Sequence, residues 1–233
     1  MKPVILINGG LAYDRQFHSE SFTLNKTYTA AISAAGGLPL MPLDWDALED
    51  YAAIADGLVL SGSQGFSPDP SLLRGNEHPV RDQMDQKLIA AFVAAKKPIL
   101  GICLGLQQLN VFFGGDLHPN FKLEYGVEHS MTKHTVTASE GSQLHRLFGK
   151  EFYVNSRHNV KIRHLAPGLE VTALSPDGVI EGICHPTLPI AAFQWHPERI
   201  RGDFPEPPEG PAMDPLFQEF VSLCLAEKEK REG

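Results

Sequence analysis

Cysteine is scarce in this sequence, with three in 233 residues, at positions 103, 184 and 224. They are too few and too scattered for a disulfide framework, so reduced thiols in a cytoplasmic protein are expected. Long apolar runs are missing too. No stretch of eighteen apolar residues occurs, and a membrane span is not expected. The opening MKPVILINGG has one lysine and no small-residue cleavage site behind its short apolar run, and reads as a first strand rather than a leader. Positive charge is in deficit: 20 Lys and Arg face 28 Asp and Glu, a net charge of −8, which argues against a nucleic-acid partner. There is no H-E-x-x-H. His129 and His134 are five apart, and His145, His158, His164 and His185 form no ligand-spaced cluster with cysteine, so neither metal nor cofactor is expected. Gly9-Gly10 lacks the third glycine of a dinucleotide fingerprint. No coiled-coil pattern or other self-association signal is visible, which leaves a homodimer open.

What is present is alternation. Val4–Asn8, Leu38–Leu43, Gly57–Leu60 and Ile99–Ile102 read as short strands, and Phe22–Ala35, Asp46–Ala55, Val80–Lys96 and Leu104–Phe113 as helices. Gly36-Gly37 stops the first helix, and Met84, Leu88, Ala91 and Phe92 share one face of the third. A polar loop spans Gln64–Pro79. Strands alternating with helices predict βαβ units in a mostly parallel sheet, an α/β fold. After Gly115 the texture turns β-rich. His134–Ala138, Glu151–Asn155, Glu170–Leu174, Val179–Cys184 and Ile190–Trp195 read as strands extending the same sheet, with a side ribbon. Arg201–Pro215 carries five prolines and reads as a surface loop before a last helix from Asp214 through Glu229. With 42% apolar and 21% charged residues and no convincing linker, residues 1–233 read as one domain.

The segment Gly101–Asn110, GICLGLQQLN, places Cys103 where the fourth strand meets a helix, with Gly101 and Gly105 on either side. Glycines there let backbone and helix approach closely around a strained residue. A helix N-terminus directs unpaired N–H groups and partial positive charge at the sulfur, which favours a nucleophilic thiolate and offers donors to an oxyanion. Leu104 N–H is the natural donor, and the Gly62-Ser63 turn at another strand end is a second source. A buried structural cysteine is the competing reading. In AAFQWHPE (Ala191–Glu198), an apolar strand runs into His196-Pro197-Glu198. Residues i and i+2 of an extended stretch share a side, so the Glu198 carboxylate can orient the His196 ring and leave its other nitrogen for Cys103. A satisfied strand-end histidine beside a surface glutamate is the alternative.

Together, G-I-C-x-G-x-Q-x-x-N (Gly101–Asn110) and Q-W-H-P-E (Gln194–Glu198) resemble the class I glutamine amidotransferase superfamily, and within it the free-standing γ-glutamyl hydrolases of peptidase family C26. Further likeness lies in Tyr28–Pro39, in Pro79-Val80-Arg81-Asp82, in Asn110-Val111 with Gly114-Gly115-Asp116-Leu117, and in Val154-Asn155-Ser156-Arg157-His158. The resemblance implies a flavodoxin-like three-layer α/β/α fold and a triad of Cys103, His196 and Glu198. It implies hydrolysis of a γ-glutamyl amide through a glutamyl thioester, with small γ-glutamyl compounds such as γ-glutamyl-γ-aminobutyrate or γ-glutamyl polyamines as substrates. It also implies that Gln107, Asn155, Ser156, Arg157 and His158 hold the glutamyl end. Gln107 lies one turn beyond Cys103 on the same helix, and Arg157 is suited to a carboxylate. Leu104 stands where many relatives carry arginine, Ser61-Gly62-Ser63 replaces a P-G-G turn, and Asn159-Val160 follows His158 where the family often has a glutamine two places on. A glutaminase subunit delivering ammonia to a synthetase partner, and a non-catalytic binding protein of the same fold, are the other readings.

Overall fold

The computed structural model describes residues 1–14, 18–62, 79–118, 129–201, 204–205 and 209–232. In chain order its strands are β1 (Val4–Asn8), β2 (Gly10–Asp14), β3 (Ser19–Thr23), β4 (Leu38–Leu40), β5 (Gly57–Leu60), β6 (Ile99–Ile102), β7 (Asp116–His118), β8 (Thr132–Ala138), β9 (Glu151–Ser156), β10 (Lys161–His164), β11 (Glu170–Leu174), β12 (Ile180–Cys184), β13 (Ile190–Phe193), β14 (Ile200–Arg201) and β15 (Phe204–Pro205). The helices are α1 (Lys26–Ala34), α2 (Leu48–Ile54), α3 (Pro79–Ala94), α4 (Leu104–Phe112), α5 (Gln143–Phe148) and α6 (Asp214–Glu232).

A nine-stranded sheet runs β4-β1-β5-β6-β13-β12-β11-β8-β9. From β4 to β13 every neighbour is parallel, and from β13 to β9 every neighbour is antiparallel. The β-rich second half therefore extends the same sheet, as its texture predicts. β7–β10 and β14–β15 form separate ribbons. Two apolar clusters lie on the two sides of the sheet. One joins Ile5, Ile7 and Ile102 to Ile32 of α1 and Phe217 of α6, and the other joins Leu6, Leu58 and Leu60 to Leu88 and Phe92 of α3 and Leu106 of α4. Alternate residues of β1 thus enter opposite layers, the three-layer α/β/α arrangement. Each strand buried on both faces is a short continuous apolar run, which is why β1, β5 and β6 are legible without alternation.

The first helix differs from expectation. Phe22 belongs to β3, which pairs with β2 in a hairpin, and α1 begins only after Asn25, whose side chain caps Thr27 N–H at 3.0 Å. The apolar periodicity of Phe22–Ala35 runs straight through that cap, although an Asn at N-cap is a start signal in its own right. Asp46–Ala55 divides into a single 3-10 turn at Trp45–Ala47 and the shorter α2. Gly36, at φ +95°, closes the last turn after α1 as its placement suggests. Most of the expected loop Gln64–Pro79 and parts of Arg201–Pro215 lie outside the described residues. Among the described residues no helix is long and apolar enough to cross a membrane.

Candidate active site

Parallel strands β1, β5, β6 and β13 end at one edge of the sheet, and that edge collects the chemistry. Cys103 follows β6 and caps α4 at φ 53°, ψ −100°. A non-glycine residue at positive φ costs about 1–3 kcal/mol and persists only where its surroundings hold it. Here its N–H donates to the Phe193 carbonyl at 2.8 Å, and its own carbonyl accepts from Gln107 N–H at 3.3 Å. The flanking glycines serve packing. A Cβ on Gly105 would stand 2.3 Å from the Leu60 carbonyl oxygen, and one on Gly101 would stand 2.8 Å from both Ala192 Cβ and Leu109 Cδ1. α4 therefore lies directly on β5 and β13, while the strained φ falls on the cysteine. The residue is buried, with 8% of its surface exposed.

His196 follows the adjacent strand β13, whose register pairs Phe193 with Ile102. Its Nδ1 lies 2.8 Å from Glu198 Oε1, and the same ring stands beside Cys103, both packed against Gly62. The strand ends at Phe193, and Pro197–Arg199 form a 3-10 turn. Glu198 thus reaches the ring from a turn and not by the i, i+2 geometry of an extended chain. Burial opposes positive charge on the ring, but the Glu198 carboxylate and the Cys103 sulfur outweigh it and raise the His196 pKa to about 10. The imidazole is therefore held as imidazolium at neutral pH, beside the sulfur. Asn155 on β9 fixes its backbone, accepting from His196 N–H at 2.8 Å and donating to His196 C=O at 3.0 Å.

Of the expected oxyanion donors, Leu104 N–H is in the first turn of α4, where N–H groups have no intrahelical acceptor. Gly62 is also in place: a Cβ there would stand 2.8 Å from His196 Cε1 and 3.3 Å from Cys103 Cβ. Its N–H, however, donates to the Tyr28 hydroxyl at 2.9 Å. Ser63 lies outside the described residues. Tyr28 is a site residue that the sequence reading missed. It is buried beside Gly62, and its phenol is held well above its ordinary pKa, chiefly by burial and then by the Glu198 charge. It is neutral, and its O–H remains a donor. Nothing local marks it, because α1 brings it from a part of the sequence far from Cys103.

A buried polar brace supports the Ser61-Gly62 turn. Asn8 Oδ1 accepts from Ser61 N–H at 2.8 Å, Ser61 Oγ donates to Asn8 C=O at 2.6 Å, and Asn8 Nδ2 donates to Asp85. Arg81 donates to Asp85 at 2.8 Å, to Gly9 C=O at 2.6 Å and to Ser61 C=O at 3.1 Å. The Arg81 of P-V-R-D thus ties together the ends of β1 and β5.

Gln107 is buried and donates to Gln194 Oε1 at 3.2 Å, and Gln194 Nε2 lies 3.6 Å from the Cys103 sulfur. The expected substrate segment divides. Asn155 holds His196. Ser156 is fully buried and donates to the His129 carbonyl at 2.8 Å. The His158 ring is buried against His129. Arg157 is the half-exposed member. Asn155, Ser156 and His158 bond within the protein, as does the buried Gln107 through Gln194 and the Val160 carbonyl, while Arg157 is the most exposed of the five. The spacing argument against a histidine cluster also fails in space: His129, His134 and His158 converge on the fully buried Glu181.

The peptidase C26 family model matches residues 3–198. The chain is 34% identical over 236 residues to a γ-glutamyl-γ-aminobutyrate hydrolase of Escherichia coli O157:H7, covering 89% of this chain and 90% of that protein. It is 33% identical over 173 residues to a glutamine amidotransferase-like protein of Lactococcus lactis, covering 68% of this chain and 73% of that one. A crystal structure of a candidate GMP synthase component from Thermoplasma acidophilum superposes with a TM-score of 0.73 at 22% identity, covering 100% of this chain and 99% of the other.

Proposed function

Because the chain belongs to the peptidase C26 family, we propose that it is a cysteine-dependent hydrolase of γ-glutamyl amide bonds in small molecules. The observation that carries the reading is the His196 ring, 2.8 Å from Glu198 and packed with Cys103 against Gly62, beside the N-terminus of α4.

In this mechanism the Cys103 thiolate attacks the γ-carbonyl carbon, a C–S bond forms, and the carbonyl oxygen becomes an oxyanion facing Leu104 N–H. The Tyr28 hydroxyl, beside Gly62, is the second donor in this reading. The C–N bond then breaks as the His196 imidazolium passes its proton to the departing amine. The amine leaves and a glutamyl thioester remains. Neutral His196 next takes a proton from water, the hydroxide adds to the thioester, and glutamate leaves as the thiolate and imidazolium are restored. Glu198 holds the ring tautomer and balances its charge throughout. Gln107 and Arg157 address the α-amino and α-carboxylate end of the glutamyl group.

γ-Glutamyl-γ-aminobutyrate and γ-glutamyl polyamines are the proposed substrate class, and amine breakdown is the role proposed with them. Purified protein is given γ-glutamyl-γ-aminobutyrate, γ-glutamylputrescine and L-glutamine, and released glutamate is measured. Brisk release from a γ-glutamyl amine, abolished in Cys103→Ala, is expected. Release only after a synthetase is added would replace this reading with an ammonia-supplying subunit. No release from any compound, or a Cys103→Ala variant as active as the parent, would overturn it.

A further inference from the structure

One cluster of titratable groups plays no part in the proposed reaction. Glu181 on β12, His134 on β8, His129 just before β8 and His158 just after β9 each aim one ligand atom at a common point, all within 4.8 Å of one another. We propose that these four side chains form a closed structural zinc site.

The spacing fits the ion. A tetrahedron with arms of about 2.0–2.1 Å, the usual Zn–N and Zn–O lengths, has edges of roughly 3.3–3.4 Å. Four of the six edges are 3.1 Å for His129 Nδ1 to His158 Nε2, 3.3 Å for His129 Nδ1 to Glu181 Oε1, 3.4 Å for His158 Nε2 to Glu181 Oε1 and 3.6 Å for His134 Nε2 to Glu181 Oε1, and the two from His134 to the other histidines lie within 4.8 Å, which an ion would draw in.

The tautomers fit as well. Each ring has an acceptor against its outer nitrogen: Asp177 Oδ2 at 3.1 Å from His129 Nε2, Thr135 C=O at 3.0 Å from His134 Nδ1 and Val160 C=O at 3.0 Å from His158 Nδ1. A carbonyl only accepts, so the outer nitrogen carries the hydrogen and the neutral ring turns a lone pair inward. That outer N–H to carbonyl or carboxylate contact is how metal-bound histidines are oriented.

The centre is costly without a cation. Glu181 is fully buried, and neither of its carboxylate oxygens, nor His134 Nε2, has a geometrically sound hydrogen bond. A buried carboxylate left so costs several kcal/mol. One added proton could serve a single nitrogen–oxygen edge, leaving the other inward lone pairs facing one another. A divalent ion accepts all four together. Three imidazoles and one carboxylate suit zinc, and four protein ligands leave no open position, which marks a structural site. The site would join β8, β9 and β12. The same strands carry Asn155, which clamps His196, and the Glu181 carbonyl, which accepts from Gln194 N–H at 2.8 Å.

The test is metal content, independent of any substrate. The full chain is purified without a histidine tag or chelator and analysed for bound metals. About one zinc per chain is expected. Removing it with a chelator should lower Tm, and Zn2+ should restore it. Co2+ added to the apoprotein should give the intense visible bands of a tetrahedral site. Glu181→Gln and His134→Ala, checked for folding by circular dichroism, should weaken zinc affinity at least about tenfold, while His185→Ala leaves it unchanged. The proposal is overturned if the parent protein binds neither Zn2+ nor Co2+ with any change in melting or spectrum. It is equally overturned if both cluster variants retain parental zinc affinity. Should the variants fail to fold, the cobalt spectrum of the parent protein decides between a tetrahedral site and none.

Discussion

Cys103, Cys184 and Cys224 differ in what surrounds their sulfurs. Burial, aided by Glu170, pushes the Cys184 thiol up, and burial, followed by Asp56, pushes Cys224 up much further. Cys103 instead sits at a helix N-terminus beside the His196 ring, whose charged form is favoured. Iodoacetamide applied to the native protein should therefore alkylate Cys103 well ahead of the other two, read by peptide mass spectrometry. Equal labelling of all three would count against activation. The His196 ring carries a second prediction. Its folded value of about 10 lies above the ordinary 6.5, so folding favours its protonated form. The stabilisation is present in full below pH 6.5 and fades as pH rises through about 10. The unfolding free energy of the parent relative to His196→Gln should shrink over that window, and the leaving-group proton should be lost along with it. A gap that widens with pH would contradict the assignment. At this scale the glycine-flanked cysteine and the H-P-E run were readable because the local chain carries their meaning. Tyr28 was not, since its significance is its distance from Cys103.

At the scale of elements, the site depends on how closely α4 lies on the sheet. Gly105→Ala would set a Cβ 2.3 Å from the Leu60 carbonyl, backbone that cannot swing aside. Overpacking of this kind costs about 1–3 kcal/mol, or roughly 2–4 °C of Tm per kcal/mol at this chain length. Calorimetry should show that fall, with kcat reduced as Cys103 moves with its helix. β9 acts through Asn155. Asn155→Ala leaves the buried His196 N–H and C=O without the partners they have now, at about 1–3 kcal/mol for each orphaned group. Glutamate-release kinetics should show kcat falling with KM little changed, because the substrate contacts stay and the imidazole loses its position. An unchanged kcat would remove Asn155 from any positioning role. Strands β1, β5 and β6 were readable from short apolar runs. The β2–β3 hairpin was not: its pairing partner, rather than its own pattern, makes Ser19–Thr23 a strand.

At the scale of the whole molecule, Arg81 and Asp85 form a buried ion pair that reaches β1 and β5 from α3. Burial pushes the Asp85 carboxyl up even against the attraction of Arg81, so the pair carries a standing desolvation cost. Arg81→Leu should destabilise by about 3–5 kcal/mol, while Arg81→Met with Asp85→Leu should recover much of the loss. Urea midpoints at constant m-value would show both. A single variant as stable as the parent would mean that water already reaches the pair. The sequence by itself determined the alternation of strand and helix, the placement of a cysteine at a strand-to-helix turn and the β-rich extension of the sheet. Each of these follows from apolar runs, glycine and capping chemistry acting over a few residues. Only the tertiary structure decided that Asn155 serves His196, that Tyr28 meets Gly62, and that three histidines without ligand spacing surround Glu181. Those contacts are set by which strands pair and in what register, and local propensity holds no information about a partner that lies dozens of residues away.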